Sequence, residues 1–172
     1  MLSLHEVEAL CAQSAPRVEA LNAELVALGS ALVAFSGGSD SALVVKLAFD
    51  ALGDRAVALT AVSASVPPEE VEAARDFTRA LGVRHVFKDS HELSDARYAQ
   101  NPTDRCYFCK SELYTLCDAA CTELELGAVL DGFNADDFKD HRPGHLAAKE
   151  HRVLSPLAEA GLTKDQIRAW SK

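Results

Sequence analysis

The chain has 172 residues, 48% hydrophobic and 25% charged, enough for one α/β domain with a sizeable core and short for two. Acidic residues number 26 against 17 basic ones, a formal charge of -9, which argues against a whole-chain nucleic-acid binder and leaves room only for a local basic pocket. No apolar run approaches the roughly 20 residues of a membrane span, and five unevenly spread cysteines (Cys11, Cys106, Cys109, Cys117, Cys121) do not make a disulfide framework, so a reducing cytoplasm is the expected compartment.

The first residues, MLSLHEVEALCAQ, are acidic and helical in character, unlike an export signal. From Leu4 to Leu28 apolar residues recur at three- and four-residue steps, predicting an amphipathic helix interrupted by Pro16 and ended by Gly29. Ala31–Phe35 has no polar face and reads as a strand buried on both sides, as in parallel sheets. It stops at Ser36-Gly37-Gly38-Ser39-Asp40-Ser41, and a helix over about Ser41–Leu52 leads through Gly53-Asp54 to a second strand, Ala56–Val62. Pro67-Pro68-Glu69-Glu70 starts a helix that runs to Gly82, with proline tolerated and acids favoured in the first turn. Arg84–Phe87 is a third strand, and the polar stretch from Lys88 to Arg105 is a loop. Residues 106–126 give a long helix, Ala128–Leu130 a fourth strand, Asp131–Gly144 a polar loop, Val153–Leu157 a fifth strand and Thr163–Ser171 a last helix. Strands alternating with helices in this way predict an open, doubly wound parallel sheet of about five strands with helices on both faces.

The hexapeptide at 36–41 lies where such a sheet places its ligand, at the carboxyl end of a strand. Two glycines let the backbone turn tightly and approach a ligand, the following helix N-terminus offers amides to an anion, and Ser36, Ser39 and Ser41 add hydroxyls. Neither G-x-x-x-x-G-K-[ST] nor G-x-G-x-x-G is present there. An ordinary glycine turn with a serine or aspartate cap is the plain alternative.

Ser36–Ser41 resembles the PP-loop, S-G-G-x-D-S, of the N-type ATP pyrophosphatases. The resemblance implies an adenine nucleotide α-hydrolase-like (HUP, Rossmann-like) fold in which the loop holds the pyrophosphate of ATP while a substrate oxygen attacks the α-phosphorus. ATP and Mg²⁺ are the implied cofactors. Ser36 and Asp40 would be catalytic, Asp40 and Asp137 would organise the metal, and Ala34, Phe35, Ser36, Gly37, Gly38, Ser39, Asp40, Ser41, Ala61, Ser63, Gly132 and Asn134 would contact the nucleotide. Each of the acids in Asp131–Asp137 could equally belong to a solvated turn.

A longer ordered series is similar to the LarE family of ATP-dependent sacrificial sulfur transferases. It comprises Val33-Ala34-Phe35 with the loop, Pro67–Glu70, Asn101-Pro102 through Arg105-Cys106-Tyr107-Phe108-Cys109-Lys110, Asp131–Asp137, Arg142-Pro143-Gly144 and Ser155–Lys164. The resemblance implies adenylation of a nucleotide-like carboxylate followed by sulfur insertion during nickel-pincer cofactor synthesis, with Arg105, Lys110 and Arg142 as substrate or phosphate contacts and a homo-oligomer as the assembly. Residues 1–29 would be an N-terminal helical segment and 30–172 the ATP-binding domain. The family's sulfur-donating cysteine lies in a C-terminal region with no counterpart before Lys172. A tRNA-thiolating enzyme and a nucleotide-binding module without turnover are the competing readings, and the acidic balance counts against the first.

Cys106-x-x-Cys109 has soft-metal or redox spacing, and in LarE-type enzymes such a pair with the later donor cysteine implies an iron–sulfur cluster. Cys117 is roughly 12 Å along a helix from Cys109, too far to share a metal, so Cys117 and Cys121 read as core. His141, His145 and His151 with Arg142, Lys149 and Arg152 form a basic segment that faces either phosphates or solvent, Arg97 is a further anion candidate, and Trp170 is a packing residue.

Overall fold

The computed structural model describes residues 2–64, 66–90, 105–137 and 143–172. Strand β1 (Ala31–Ala34) is buried at every position. Its central place explains this: β1 pairs in parallel with β2 (Ala56–Val62) on one side and with β4 (Val129–Leu130) on the other, and β3 (Arg84–Asp89) lies outside β2, giving the order β3-β2-β1-β4. Alternate side chains of β1 enter two different cores. Ala31 and Val33, with Phe35 just beyond, pack beneath α1 (Leu4–Leu28), α2 (Ser39–Leu52) and α3 (Pro68–Leu81). Leu32 and Ala34 face Tyr114, Cys117 and Ala120 of α4 (Arg105–Leu124) and Ala147 and Ala148 of α5 (Pro143–Glu150). A side-chain period of two and helices on both faces make an unbroken apolar strand necessary.

Two expectations are corrected here. The sheet has four strands among the described residues: Leu154 makes one parallel bridge with Leu130, and Pro156 then opens the short helix α6 (Pro156–Glu159), because a residue without an N–H starts a helix more readily than it continues a ladder. Pro16 does not interrupt α1, which runs unbroken through it. Val18, Leu21 and Leu25 bury that helix in the same core as β1, and such packing outweighs the proline penalty of about 3 kcal/mol. The last helix, α7 (Lys164–Trp170), begins with a reciprocal capping box between Thr163 and Gln166. Cys117 and Cys121 pack against the second core as expected. Among the described residues no helix is long and apolar enough to cross a membrane.

Candidate active site at the carboxyl ends of the strands

The turn from β1 into α2 sets the geometry. Gly37 is left-handed (φ 80°), and Gly38 caps α2 with no side-chain hydrogen bond, so the first amides of the helix point outward uncapped. Ser41 holds the turn closed: its hydroxyl donates to Gly38 O (3.1 Å), accepts from Ser36 N (3.3 Å) and lies 3.1 Å from Ser36 Oγ. Gly132, just past β4, is wedged against the start of α2. A Cβ there would stand 2.7 Å from Ser41 N and 2.9 Å from Ser41 Cα, so only glycine fits.

Asp40 and Asn134 join the two loops. Asn134, fully buried, donates from Nδ2 to Asp40 Oδ2 (2.8 Å), while Ser39 Oγ donates to Asp40 Oδ1 (3.0 Å). The acids after β4 divide by orientation. Asp131 is turned inward, accepting from Tyr114 OH (2.7 Å) and Phe133 N (3.1 Å), and burial pushes its carboxyl above the usual range. Asp136 accepts from Lys164 N (2.9 Å) at the start of α7. Asp137 accepts from Asn134 N (3.2 Å) and stands 3.7 Å from Lys164 Nζ. Asp131 is thus a fold residue, and of the loop residues expected to contact ligand only Gly132 lines the basin, while Asn134 and Asp137 are buried behind it.

Two cavities meet over the turn. A basin of about 460 Å³ is lined by Ser36, Gly38, Ser39, Asp40, Ser41 and Gly132, with Lys110, Lys164 and Arg168 supplying cations. Ala34 and Phe133 complete its floor. A cleft of about 290 Å³ at the end of β2 is lined by Phe35, Thr60, Ala61, Ser63, Val66 and Glu70, and it reaches Cys109 and Leu113 of α4. Ser36 and Lys110 border both. Lys110 is steered by the faces of Phe133 (5.0 Å) and Tyr114 (5.6 Å). An acidic chain therefore concentrates three cations over one glycine turn.

Sequence reasoning missed three of these residues. Lys164 and Arg168 stand i, i+4 on α7, and nothing local reveals that α7 packs beside α2. His85 lies behind the cleft with both ring nitrogens engaged. Thr60 donates to Phe35 O (2.8 Å), so its oxygen accepts from His85 Nε2 (2.8 Å), leaving Nδ1 to face Thr78 Oγ1 (2.9 Å). Burial, then the Arg75 guanidinium, lowers the His85 pKa to about 4.

Other expected sites separate. His145 stacks on Phe133 (4.2 Å) with Nε2 3.1 Å from Asp137 O, behind the basin wall. His151 pairs with Asp118 (2.7 Å) and, with Arg152, borders a cavity at the amino end of β4, so these two do not face the glycine turn. Trp170 packs as expected and hydrogen-bonds Ser14. Arg97, His141 and Arg142 lie outside the described residues, as does the side chain of Arg105.

None of the five cysteines is in a disulfide. Cys106 is exposed on α4, Cys109 borders the cleft, and burial lifts Cys117 to about 12 and Cys121 to about 11. Among the described residues no three metal-ligating side chains converge, so two thiols one helical turn apart do not fit an iron–sulfur cluster held by this chain's cysteines. Asp40, oriented by two donors and open to the basin, is an oxygen ligand of the kind that would hold Mg²⁺.

Comparison with known proteins agrees with this geometry. The chain is 46% identical over 84% of its length to an uncharacterized protein of Synechocystis sp., covering 54% of that protein. It is 36% identical over 88% of its length to the pyridinium-3,5-bisthiocarboxylic acid mononucleotide synthase of Lactiplantibacillus plantarum, covering 55% of it. The chain thus spans about half the length of these curated relatives. The NH3-dependent NAD synthetase of Campylobacter jejuni shares the fold, with a TM-score of 0.70 at 18% identity over 98% of this chain and 72% of that one. The NAD synthase family model matches residues 7–105, more than half of the chain, and with the glycine turn described above this makes the chain a member of the NAD synthase family within the PP-loop superfamily.

Proposed function

We propose that the chain binds ATP across the two cavities and adenylates a substrate carboxylate with release of pyrophosphate, the activating step of LarE-type sulfur insertion in nickel-pincer nucleotide cofactor synthesis. The observation that carries this reading is the junction at Ser36 and Lys110, where a largely apolar cleft that carries Glu70 opens onto a basin holding Lys164 and Arg168 over the PP-loop. The relative named as a pyridinium-3,5-bisthiocarboxylic acid mononucleotide synthase supports the choice of a nucleotide-like carboxylate.

In this reading the cleft, with Ala61 and Ser63, takes the adenosine, and the basin takes the two outer phosphates. The α2 amides, the hydroxyls of Ser36 and Ser39, Lys164 and Arg168 hold the pyrophosphate portion. A carboxylate oxygen attacks the α-phosphorus beside Lys110, the bond to the bridging oxygen of the β-phosphate breaks, and the electron pair leaves with pyrophosphate. Charge grows on the leaving group in the transition state, and fixed donors of this kind are each worth about 10²–10³ in rate. Asp40 and, beyond Asn134, Asp137 would hold Mg²⁺, which neutralises phosphate charge when bound. Arg105 and Arg142 are assigned to the substrate side. A cytoplasmic homo-oligomer acting on a small molecule completes the proposal.

The test is pyrophosphate release from ATP and Mg²⁺ with pyridinium carboxylate mononucleotides, in the chain and in Asp40→Ala. Carboxylate-dependent release that Asp40→Ala abolishes supports the reading. Nucleotide binding without release would identify a module without turnover, and no nucleotide binding with Mg²⁺ would overturn the site.

A further inference from the structure

We infer that α1 is the positioning element for the basin's α7 cations, acting through three polar stitches to α7 and the turn before it. The inference rests on the pyrophosphate role given above to the basin.

Helix α7 has two unlike faces. Lys164 and Arg168 open onto the basin, whereas Gln166, Ile167 and Trp170 turn toward α1. Seven residues do not hold a helix or its orientation on their own, so docking fixes where the two cations stand. At its start α7 is tied by Lys164 N to Asp136 (2.9 Å). Its far end is tied by α1: Trp170 Nε1 donates to Ser14 Oγ (2.9 Å), and Ser14, fully buried, passes its own proton to Leu10 O (2.6 Å). Gln166 Nε2 donates to Gln13 Oε1 (3.4 Å), and Arg17 Nη1 donates to Gly161 O (2.5 Å), where a left-handed Gly161 (φ 66°) turns the chain into α7. Gln13, Ser14 and Arg17 occupy one turn of α1.

This arrangement explains why α1 buries the hydroxyl of Ser14. A hydroxyl at the interface of two helices is retained when its bond directs the partner, and here the partner carries the anion-facing charges. Arg168 lies one half-turn from the Trp170 tether and Lys164 beside the Asp136 tether, so the α1 stitch governs Arg168 more than Lys164. Ser14, Gln13, Arg17 and Trp170 are positioning residues that touch no ligand themselves.

The experiment measures binding of inorganic pyrophosphate with Mg²⁺, and separately of adenosine, to the whole chain, to Ser14→Ala, to Trp170→Phe, to Arg168→Met and to Ser14→Ala/Arg168→Met. Trp170→Phe keeps the ring in the core and leaves Ser14 still bonded to Leu10, so this variant stays folded, checked by circular dichroism. Ser14→Ala and Trp170→Phe are expected to weaken pyrophosphate roughly fivefold, with adenosine affinity within twofold of the parent. The double variant is expected to bind pyrophosphate no more weakly than Arg168→Met alone, because the stitch acts through that arginine. Unchanged pyrophosphate affinity in folded Trp170→Phe overturns the inference, as does an equal loss for adenosine or full additivity in the double variant. Failure of the parent chain to bind pyrophosphate would instead remove the functional reading itself, and this inference with it.

Discussion

The basin and the cleft flank the same serine and are built on opposite principles. In the basin the polar groups are charged, partly open to water and tethered by side-chain bonds between distant segments: Asp40 to Asn134, Lys164 to Asp137 and to Asp136. In the cleft the wall is mostly uncharged, with Glu70 and the shared Lys110 as its charged members, and its support is a half-buried relay from Thr78 through His85 and Thr60 to the carbonyl of Phe35. On the function proposed above, the difference follows from what each takes, phosphates in the basin and adenosine in the cleft. Charge binds phosphate well at a solvated rim, where each ion pair adds little to stability, whereas shape recognition needs a wall that does not move. Substitutions in the basin should therefore change binding and spare the fold, and those behind the cleft should act first on stability and spare pyrophosphate binding.

The sharpest break of that contrast is Gly132→Ala. This basin residue acts through backbone, since the added methyl meets Ser41 N and Cα. Pyrophosphate release should fall by about a hundredfold or more and stability by about 1–3 kcal/mol, read by turnover and denaturant titration. Wild-type stability in Gly132→Ala would mean that the two loops are not in contact. Next in size, Lys164→Met should weaken pyrophosphate by roughly tenfold and leave adenosine binding alone, whereas Lys110→Met, at the junction, should weaken both. Equal effects of the two lysines on adenosine would erase the division.

On the cleft side, His85→Phe should lower stability by about 2 kcal/mol and adenosine affinity a few-fold, with pyrophosphate affinity retained; His85→Gln, which keeps a donor toward Thr60, should recover much of both. The acid response has a definite sign. His85 titrates near 4 when folded against 6.5 in the unfolded chain, so between those values only the unfolded chain takes up the proton. The stability it contributes is complete above pH 6.5 and is lost as pH falls toward 4, by about 2 kcal/mol, less than the full shift because the ring keeps some solvent contact. A His85→Phe variant whose denaturation midpoint falls as steeply over that window as the parent's would refute this. The smallest effect belongs to Cys106→Ser and Cys109→Ser, each expected to change pyrophosphate release by less than about threefold, since neither thiol borders the basin.

The glycine turn was legible in the sequence because its conformation is encoded where it occurs: a strand with no polar face, two glycines, then serines and an aspartate opening a helix. The loop after β4 was legible only as a place. Which of Asp131, Asp136 and Asp137 faces a ligand depends on Tyr114, on the start of α7 and on Lys164, none of them adjacent in sequence. His85 reads as an ordinary residue of an edge strand until Thr60 and Thr78 are seen on either side of it. The fifth strand was inferred from an apolar run at 153–157 that the structure uses for one bridge and a helix start, because Pro156 has no N–H to extend a ladder.

The bond from Asn134 to Asp40 joins residues 94 positions apart. Neither the turn after β1 nor the loop after β4 completes the site until that long loop is closed, so the proposed nucleotide site exists only in the chain that has folded as a whole. A ligand that requires this closure is in effect a reporter of the global fold, and bound nucleotide will hold the domain together by mass action well beyond the few atoms it touches.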